Sequence, residues 1–249
     1  MTDLQFLDRE DGERLAYRRL GGSGPGLFWV GGFRSNMEGT KAEYLAEWAA
    51  SRKRAMLRFD YYAHGRSSGD FVKGTITRWR DDALAAFDRL TEGPQIVVGS
   101  SMGGWIADLL ALTRPDRVAA LVLLAPAPDF TEDLMWNPMP EAARKAVLDA
   151  GLWFYEGEGD SYPITRALIE SGRENLVLGK PQKISFPVRI LHGMADAEVP
   201  WRHTLKLVDI IEGDVRLTLL KNSGHRLSTP EDLELIVGTV DGLFEGLRR

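Results

Sequence analysis

Short apolar runs and amphipathic stretches alternate along the first half of the chain. Residues 27–30 and 118–124 are apolar at consecutive positions, and residues 56–59 are apolar except for Arg58, which is typical of strands that helices cover on both faces. Residues 75–91 instead carry apolar side chains at helical spacing, which indicates an amphipathic helix. Because strands that alternate with helices pair in parallel through right-handed crossovers, the pattern predicts a doubly wound α/β fold with a mostly parallel sheet.

The two ends of the chain extend this pattern in different ways. Residues 4–7 and 14–20 alternate polar and apolar positions, which predicts an antiparallel hairpin at one edge of the sheet. Residues 188–191 and 215–220 predict two further strands, and residues 231–247 predict a closing helix. The sheet is therefore expected to begin with a hairpin and to continue with parallel strands.

Residues 129–182 interrupt the alternation of strands and helices. They contain helical stretches at 141–150 and 164–172, no convincing strand, and many large apolar side chains. We therefore expect one α/β core made of residues 1–128 and 183–249, with residues 129–182 inserted as a helical lid. No internal repeat or low-complexity segment is present in the sequence.

Composition limits the classes of function. With 249 residues, 44% of them hydrophobic, the chain is long enough to bury one substantial core. A net charge of -5 offers no basic surface for nucleic acid, so no such partner is expected. The absence of cysteine excludes disulfides, thiolate metal sites and a cysteine nucleophile.

The sequence has neither a basic segment followed by an apolar stretch at its start nor a run of about 18 apolar residues that would span a bilayer. We therefore expect a cytoplasmic protein without a membrane span. No motif indicates a metal or organic cofactor, and none is expected.

The apolar run at residues 95–98 ends in Gly99-Ser100-Ser101-Met102-Gly103, where a helical pattern begins at once. This order matches the G-x-S-x-G nucleophile elbow, in which small flanking residues let the backbone turn sharply and expose the central serine. By itself the pattern also fits an ordinary turn between a strand and a helix. As an elbow, it makes Ser101 the candidate nucleophile.

A serine hydroxyl is a weak nucleophile, so Ser101 needs a base within hydrogen-bond distance. Of the four histidines, His225 follows the last predicted strand and is the preferred general base. His64 also follows a strand and stays open as the alternative. His192 is placed like a histidine that braces a turn, and His203 falls in a predicted helix.

The base in turn needs a carboxylate to orient it. Asp196 lies just beyond the strand at residues 188–191. This position gives the order Ser, Asp, His along the chain, which accompanies a nucleophile elbow. Its charge would hold the imidazole tautomer and stabilise the imidazolium. Glu198 is the nearest alternative.

Negative charge that develops on a substrate carbonyl requires hydrogen-bond donors already in place. The N–H of Met102, directly after the nucleophile at the start of a helix, is one candidate. The other is the N–H of Phe33, in the loop that begins with Gly31 and Gly32. These glycines also fit an ordinary flexible turn.

Residues 99–105, residues 192–196 with 199–201, and residues 224–225 together resemble the α/β-hydrolase fold. Residues 37–42, 58–61 and 93–96 further resemble its palmitoyl-protein thioesterase and acyl-glucuronide esterase branch. The resemblance implies that Ser101, Asp196 and His225 form a triad and that the reaction is serine hydrolysis of an ester or thioester. Ala63 stands where the family's D-x-x-G-x-G-x-S turn has its first glycine.

Large apolar side chains of the insertion are candidates for contacting an acyl group, namely Trp136, Met139 and Trp153. It is equally consistent with the sequence that these side chains only pack the insertion against the sheet. Arg34, beside the predicted oxyanion loop, is a candidate contact for an acidic group of the substrate. The expected substrate is a small-molecule ester or acyl thioester, or an acylated protein. A peptidase, a carbon–carbon bond hydrolase and a ligand-sensing protein on the same scaffold remain the alternatives.

Overall fold

A computed structural model of the chain describes residues 2–157 and 160–247. The strands are β1 (Gln5–Asp8), β2 (Arg14–Leu20), β3 (Ser23–Val30), β4 (Arg54–Phe59), β5 (Gln95–Ser100), β6 (Val118–Leu124), β7 (Leu152–Gly157), β8 (Asp160–Thr165), β9 (Gln182–Lys183), β10 (Val188–Gly193), β11 (Ile211–Glu212) and β12 (Val215–Leu220). Eight of them form one sheet in the order β1-β2-β4-β3-β5-β6-β10-β12, and two short pairs, β7-β8 and β9-β11, stand apart from it.

Seven α-helices accompany these strands within the described residues. They are α1 (Thr40–Ser51), α2 (Ile76–Leu90), α3 (Met102–Thr113), α4 (Glu141–Ala150), α5 (Arg166–Glu174), α6 (Trp201–Ile210) and α7 (Pro230–Gly246). Helices α2, α3 and α6 pack on one face of the main sheet, and α1 and α7 pack on the other.

The central strands of the main sheet are buried on both faces, as the apolar runs predict. In β3, Phe28 and Val30 point into the layer under α2 and α3, whereas Leu27 and Trp29 point into the layer under α1 and α7. Successive side chains of a strand alternate between faces, so a strand between two helical layers must be apolar at every position.

The predicted fold class is confirmed. Strand β1 pairs antiparallel with β2, and β2 pairs antiparallel with β4; the remaining neighbours in the main sheet are parallel. Parallel strands end at the same edge of a sheet. The loops after β3, β5, β10 and β12 therefore meet there, and they carry the candidate residues.

The prediction that residues 129–182 contain no strand is wrong. Strands β7 and β8 form an antiparallel hairpin in which Leu152 pairs with Thr165, since this stretch is rich in the aromatic and β-branched residues that favour strands. Helix α5 consequently begins at Arg166, later than predicted, and Thr165 caps it by accepting the Leu168 N–H at 3.0 Å.

The insertion also has a small apolar cluster of its own, in which residues of α4 pack against residues of the hairpin and α5. Its buried members are Met139, Ala143, Val147, Ile164 and Ile169. The described residues include no helix with both the length and the hydropathy needed to cross a bilayer.

Candidate active site

Ser101 occupies the turn between β5 and α3 in a strained backbone conformation. Its φ of 56° and ψ of -123° lie outside the regions that residues with a side chain ordinarily adopt. The Ser101 N–H donates to the Leu124 carbonyl at 2.9 Å, and the Ser101 carbonyl accepts from the Gly104 N–H at 2.8 Å. The end of β6 and the first turn of α3 thus hold the serine at the carboxyl edge of the sheet.

The glycines of the G-x-S-x-G segment are required by close backbone contacts. A Cβ atom at Gly99 would lie 2.3 Å from the Gly103 carbonyl oxygen, and one at Gly103 would lie 2.1 Å from the Val30 carbonyl oxygen. No side chain fits at either distance. The helix can therefore fold back over the strands only because both positions lack a Cβ atom.

The structure brings His225 to Ser101. His225 lies in the loop after β12, and its Nε2 atom is 2.9 Å from Ser101 Oγ. The side chain of His225 is 14% exposed, so most of its ring is shielded from solvent. This geometry lets the Ser101 hydroxyl donate to a neutral imidazole.

Asp196 is the carboxylate bound to the other nitrogen of this imidazole, with its Oδ2 atom 2.7 Å from His225 Nδ1. Its Oδ1 atom accepts the N–H groups of Glu198 and Val199 at 2.9 and 2.8 Å. Burial alone would raise the pKa of Asp196, but hydrogen bonds from His192, His225 and the Val199 N–H hold that pKa well below its usual range. These hydrogen bonds favour the anionic form of Asp196, and a carboxylate that only accepts places the hydrogen of His225 on Nδ1.

His192 braces this carboxylate from a fully buried position. Its Nε2 atom is 3.0 Å from the Val199 carbonyl and 3.2 Å from Asp196 Oδ2. Its Nδ1 atom is 2.7 Å from Thr204 Oγ1. Because a carbonyl and a carboxylate only accept, Nε2 carries the hydrogen and Nδ1 accepts from Thr204. The prediction of a turn-bracing role for His192 thus fits the structure.

Glu198, the alternative acid, lies on the other side of the ring. Its Oε2 atom is 3.7 Å from His225 Nε2, and its side chain is 68% exposed. It contacts the nitrogen that faces Ser101 and not the nitrogen that an orienting acid must hold. The geometry therefore favours Asp196 in that role.

His64, the alternative base, uses both ring nitrogens elsewhere. Its Nδ1 atom lies 3.0 Å from the Tyr62 carbonyl, and its Nε2 atom accepts the Arg34 N–H at 3.0 Å. Burial lowers the pKa of His64 to about 4. His203 likewise bonds a backbone carbonyl, that of Pro128, at 2.6 Å. Neither ring is engaged with the serine hydroxyl.

The two predicted oxyanion donors flank the nucleophile. Met102 is the first residue of α3, where helix geometry leaves the N–H without an intrahelical partner. The loop with Phe33 runs close beside Ser101, since a Cβ atom at Gly32 would lie 3.4 Å from Ser101 Cβ and 3.3 Å from the Ser100 carbonyl oxygen. Both N–H groups thus belong to segments that border the serine.

The structure separates the four predicted substrate contacts into two groups. Trp136, Met139 and Trp153 pack within the apolar cluster of the insertion. Arg34 instead lies in the loop after β3 and places its guanidinium 4.9 Å from the centre of the Tyr162 ring.

Aromatic side chains that the sequence analysis did not assign to the site surround Phe33. Trp79 lies on the helix that the apolar spacing of residues 75–91 predicts, and Phe130 and Tyr162 belong to the insertion, whose abundance of large apolar residues was the only signal for them. No pattern in the sequence marks Phe71. Phe33 contacts Phe71 (5.3 Å between ring centres), Tyr162 (5.4 Å), Trp79 (5.8 Å) and Phe130 (5.8 Å).

Lys41 is a further residue near the candidate base. Its ammonium group donates to the carbonyl of Arg226, the residue after His225. Burial lowers the pKa of Lys41 to about 8, although the charges of Asp232, Asp196 and Glu198 act in the opposite direction. Helix α1 is thereby fastened to the loop that carries the imidazole.

Comparison with known proteins shows similarity over nearly the whole chain. Residues 31–167 match the family described as serine aminopeptidase, S33. The chain is 40% identical to the mitochondrial palmitoyl-protein thioesterase ABHD10 of Bos taurus, with coverage of 99% of this chain and 81% of the relative.

Two solved structures share the same architecture. The mouse alpha/beta hydrolase domain-containing protein 10 superposes with a TM-score of 0.91 at 37% identity and covers 98% of this chain and 99% of its own. A candidate hydrolase from Agrobacterium vitis S4 superposes with a TM-score of 0.92 at 38% identity, with 98% of each chain covered. The similarity therefore includes the insertion as well as the main sheet.

Proposed function

This chain belongs to the α/β-hydrolase family that includes the palmitoyl-protein thioesterases, and from that premise we propose that it hydrolyses a carboxylic ester or an acyl thioester through a covalent acyl-enzyme. In this proposal Ser101 is the nucleophile, His225 is the general base and acid, and Asp196 orients His225. The observation that carries it is the chain of contacts from Ser101 Oγ to His225 Nε2 at 2.9 Å and from His225 Nδ1 to Asp196 Oδ2 at 2.7 Å.

Acylation begins when Ser101 Oγ attacks the carbonyl carbon of the substrate while His225 Nε2 takes the hydroxyl proton. The electron pair of the carbonyl bond moves to its oxygen, where the N–H groups of Phe33 and Met102 stabilise the negative charge. The bond to the leaving group then breaks, and the imidazolium returns its proton to the leaving alcohol or thiol. Asp196 stabilises the imidazolium without taking that proton.

Deacylation repeats these steps with water as the nucleophile. His225 Nε2 takes a proton from water as the water oxygen attacks the acyl carbonyl, and the second tetrahedral intermediate collapses to the free acid and the Ser101 hydroxyl. The anionic Asp196 supports both steps because hydrogen bonds from His192, His225 and Val199 keep it ionised.

The aromatic residues around Phe33 support an apolar acyl group as the recognised part of the substrate. Phe33 lies in the loop after β3, Phe130 at the start of the insertion and Tyr162 in its hairpin, and the Phe33 ring contacts the rings of the other two. Residues 129–182 act as a lid in this proposal, with Arg34 at its border. Trp136, Met139 and Trp153 would then shape the acyl site through the insertion's own cluster.

A substrate panel at one matched acyl group tests the proposal. It compares acyl thioesters, simple esters, acyl glucuronides and peptide amides, and we expect the first two to give the highest kcat/KM. A higher kcat/KM for the peptide amide would show that the protein is a peptidase and not an esterase. The amide is included because the matched family is described as serine aminopeptidase, S33. Ligand binding without turnover of any of these would overturn the enzyme mechanism.

Substitutions test the assigned roles. Ser101→Ala should abolish turnover of every substrate with folding intact. Asp196→Asn should lower kcat by about 10⁴-fold, as expected when the imidazole adopts the wrong tautomer. Glu198→Gln is the matched control and should lose far less, because Glu198 is exposed and lies 3.7 Å from Nε2. The reverse order would mean that Glu198 is the orienting acid.

A further inference from the structure

Two neighbouring loops at the carboxyl edge of the sheet are joined by hydrogen bonds that the proposed chemistry does not use. The oxyanion loop is residues 31–39, after β3, and the supporting loop is residues 60–68, after β4. The bonds between them run from Tyr61 Oη to the Gly31 carbonyl (3.1 Å), from the Arg34 N–H to His64 Nε2 (3.0 Å) and from the Met37 N–H to Asp60 Oδ1 (2.6 Å).

The bond from the Arg34 N–H to His64 Nε2 holds a residue whose backbone is strained. Arg34 has a φ of 56°, in the left-handed region that residues with a side chain rarely adopt. Such a conformation persists only where the surroundings impose it. Arg34 directly follows Phe33, so the bond from its N–H to His64 fixes the chain on one side of the proposed oxyanion donor.

The partners of His64 determine its tautomer. The Tyr62 carbonyl next to Nδ1 only accepts, so Nδ1 carries the hydrogen and Nε2 offers a lone pair to the Arg34 N–H. Trp79 Nε1 donates to the same Tyr62 carbonyl at 3.1 Å. Burial lowers the pKa of His64 to about 4, so the ring stays neutral and keeps this lone pair at neutral pH.

The ring of His64 and the ring of Phe33 are held by the same two side chains. Trp79 and Phe71 lie 5.1 and 5.5 Å from His64 between ring centres, and 5.8 and 5.3 Å from Phe33. The side chain of Phe33 and the N–H of Arg34 are therefore anchored to one aromatic cluster, and the Phe33 N–H belongs to the residue that both anchors hold.

We propose that His64 is a positioning residue for the hydrolysis: its neutral imidazole accepts the Arg34 N–H and thereby keeps the Phe33 N–H aimed at the oxygen on which charge develops. This inference rests on the proposed function. His64 takes no part in proton transfer, because both ring nitrogens are bound to backbone groups, and it acts on the reaction only through the oxyanion loop.

The test compares His64→Leu, which removes the acceptor, with His64→Gln, whose side-chain amide can place an oxygen near the position of Nε2. We expect His64→Leu to lower kcat by about 10- to 100-fold with little change in KM, since removing an oxyanion donor outright costs about 100- to 1000-fold. His64→Gln should recover most of this loss. His203→Leu removes another buried histidine bonded to a backbone carbonyl and is the matched control for packing.

A trifluoromethyl ketone with the same acyl group supplies the second measurement, because Ser101 converts it to a tetrahedral adduct whose oxyanion needs the same donors. Its inhibition constant should rise in His64→Leu by the same factor as kcat/KM falls. In His64→Gln the inhibition constant should return close to the wild-type value. Unchanged kcat and ketone affinity in a folded His64→Leu protein would overturn the inference. An equal loss in His203→Leu would also overturn it.

Nitrogen NMR of the wild-type imidazoles tests the inference without any variant. We expect the hydrogen of His64 on Nδ1 at neutral pH, and a hydrogen on Nε2 would refute an acceptor role whether or not the variants fold. Ser101→Ala separates this outcome from a failure of the proposed function. If turnover depends on Ser101 but not on His64, only the role of His64 is lost.

Discussion

Replacing Asp108 by asparagine should stabilise the protein, and the gain should depend on pH. Asp108 lies on α3 and is fully buried. Its Oδ2 atom accepts from Gln182 Nε2 at 2.8 Å, whereas Asp108 Oδ1 and Gln182 Oε1 have no hydrogen-bond partner among the described residues. A carboxylate and an amide oxygen thus both lack donors inside the core, which is costly for an ionised group.

Burial raises the pKa of Asp108 from 3.8 to about 7, with the bond from Gln182 opposing the rise and the charge of Asp129 adding to it. A carboxyl whose pKa is higher in the folded state binds its proton more tightly there, so the free energy of unfolding falls as pH rises between about 4 and 7. A rise of this size corresponds to at most about 4 kcal/mol lost at and above pH 7.

The Asp108→Asn side chain carries no charge and has an N–H group to offer to Gln182 Oε1. We expect its free energy of unfolding at pH 8 to exceed that of the wild type by about 2–4 kcal/mol, and the difference to shrink toward zero near pH 4. Urea denaturation at pH 4.5, 6 and 8 with equal m-values measures this directly. Asp116→Asn, on an exposed carboxylate, is the control. A gain that is absent at pH 8, or that is the same at all three pH values, would refute the reasoning.

Three further substitutions follow from backbone and loop contacts. Gly103→Ala should abolish activity and lower the free energy of unfolding by more than about 2 kcal/mol, because the added Cβ would lie 2.1 Å from a β3 carbonyl oxygen. Gly238→Ala is the control: the space around Gly238 is open, so this variant should gain up to about 1 kcal/mol of stability. Equal urea midpoints for the two variants would contradict the predicted clash at Gly103. Ala63→Gly should stabilise the protein by roughly 0.5 kcal/mol, since Ala63 has a φ of 58°, and a clear loss in the same assay would contradict this. Lys41→Met removes the bond to the Arg226 carbonyl and should lower kcat several-fold without a matching loss of stability; an unchanged kcat would show that the loop needs no such fastening.

Periodicity predicted the parts of the fold that depend on which face of a strand or helix is covered. Leu27 and Phe28 are adjacent and both apolar because each faces a different helical layer, so their run alone indicates a central parallel strand. The hairpin of β7 and β8 escaped prediction because it packs against the insertion's own cluster. Its Trp153 faces that cluster while Phe154 is 51% exposed.

The candidate site was predictable for residues of a reactive type that directly follow a strand of the main sheet. Ser101, Asp196 and His225 each follow a strand of the main sheet, and parallel strands bring such loops to one edge. The same rule also admitted His64, which follows β4. His64 and His225 are distinguished only by the path of the supporting loop. That path turns both ring nitrogens of His64 toward the backbone of Tyr62 and Arg34. That path depends on contacts between distant segments and leaves no period in the sequence.

Ala63 shows how a departure from a family pattern is accommodated. It stands where related turns have a glycine, and it keeps the left-handed backbone that glycine would adopt, with a φ of 58°. Its N–H donates to the Ser68 carbonyl at 2.8 Å. The turn therefore retains its shape at a modest energetic cost.

The long connection between β6 and β10 also has a consequence for the order in which the protein folds. Strands β5 and β6, which flank Ser101, are joined by 17 residues, whereas 63 residues separate β6 from its neighbour β10. Closing the longer loop costs about 1 kcal/mol more in chain entropy, and late, non-local pairing slows folding. The serine should thus be in place before the strands that carry Asp196 and His225 dock, and pulse-labelled hydrogen exchange should show β5 protected before β10. Under the proposed function, the elbow would then hold Ser101 without its general base until that docking occurs.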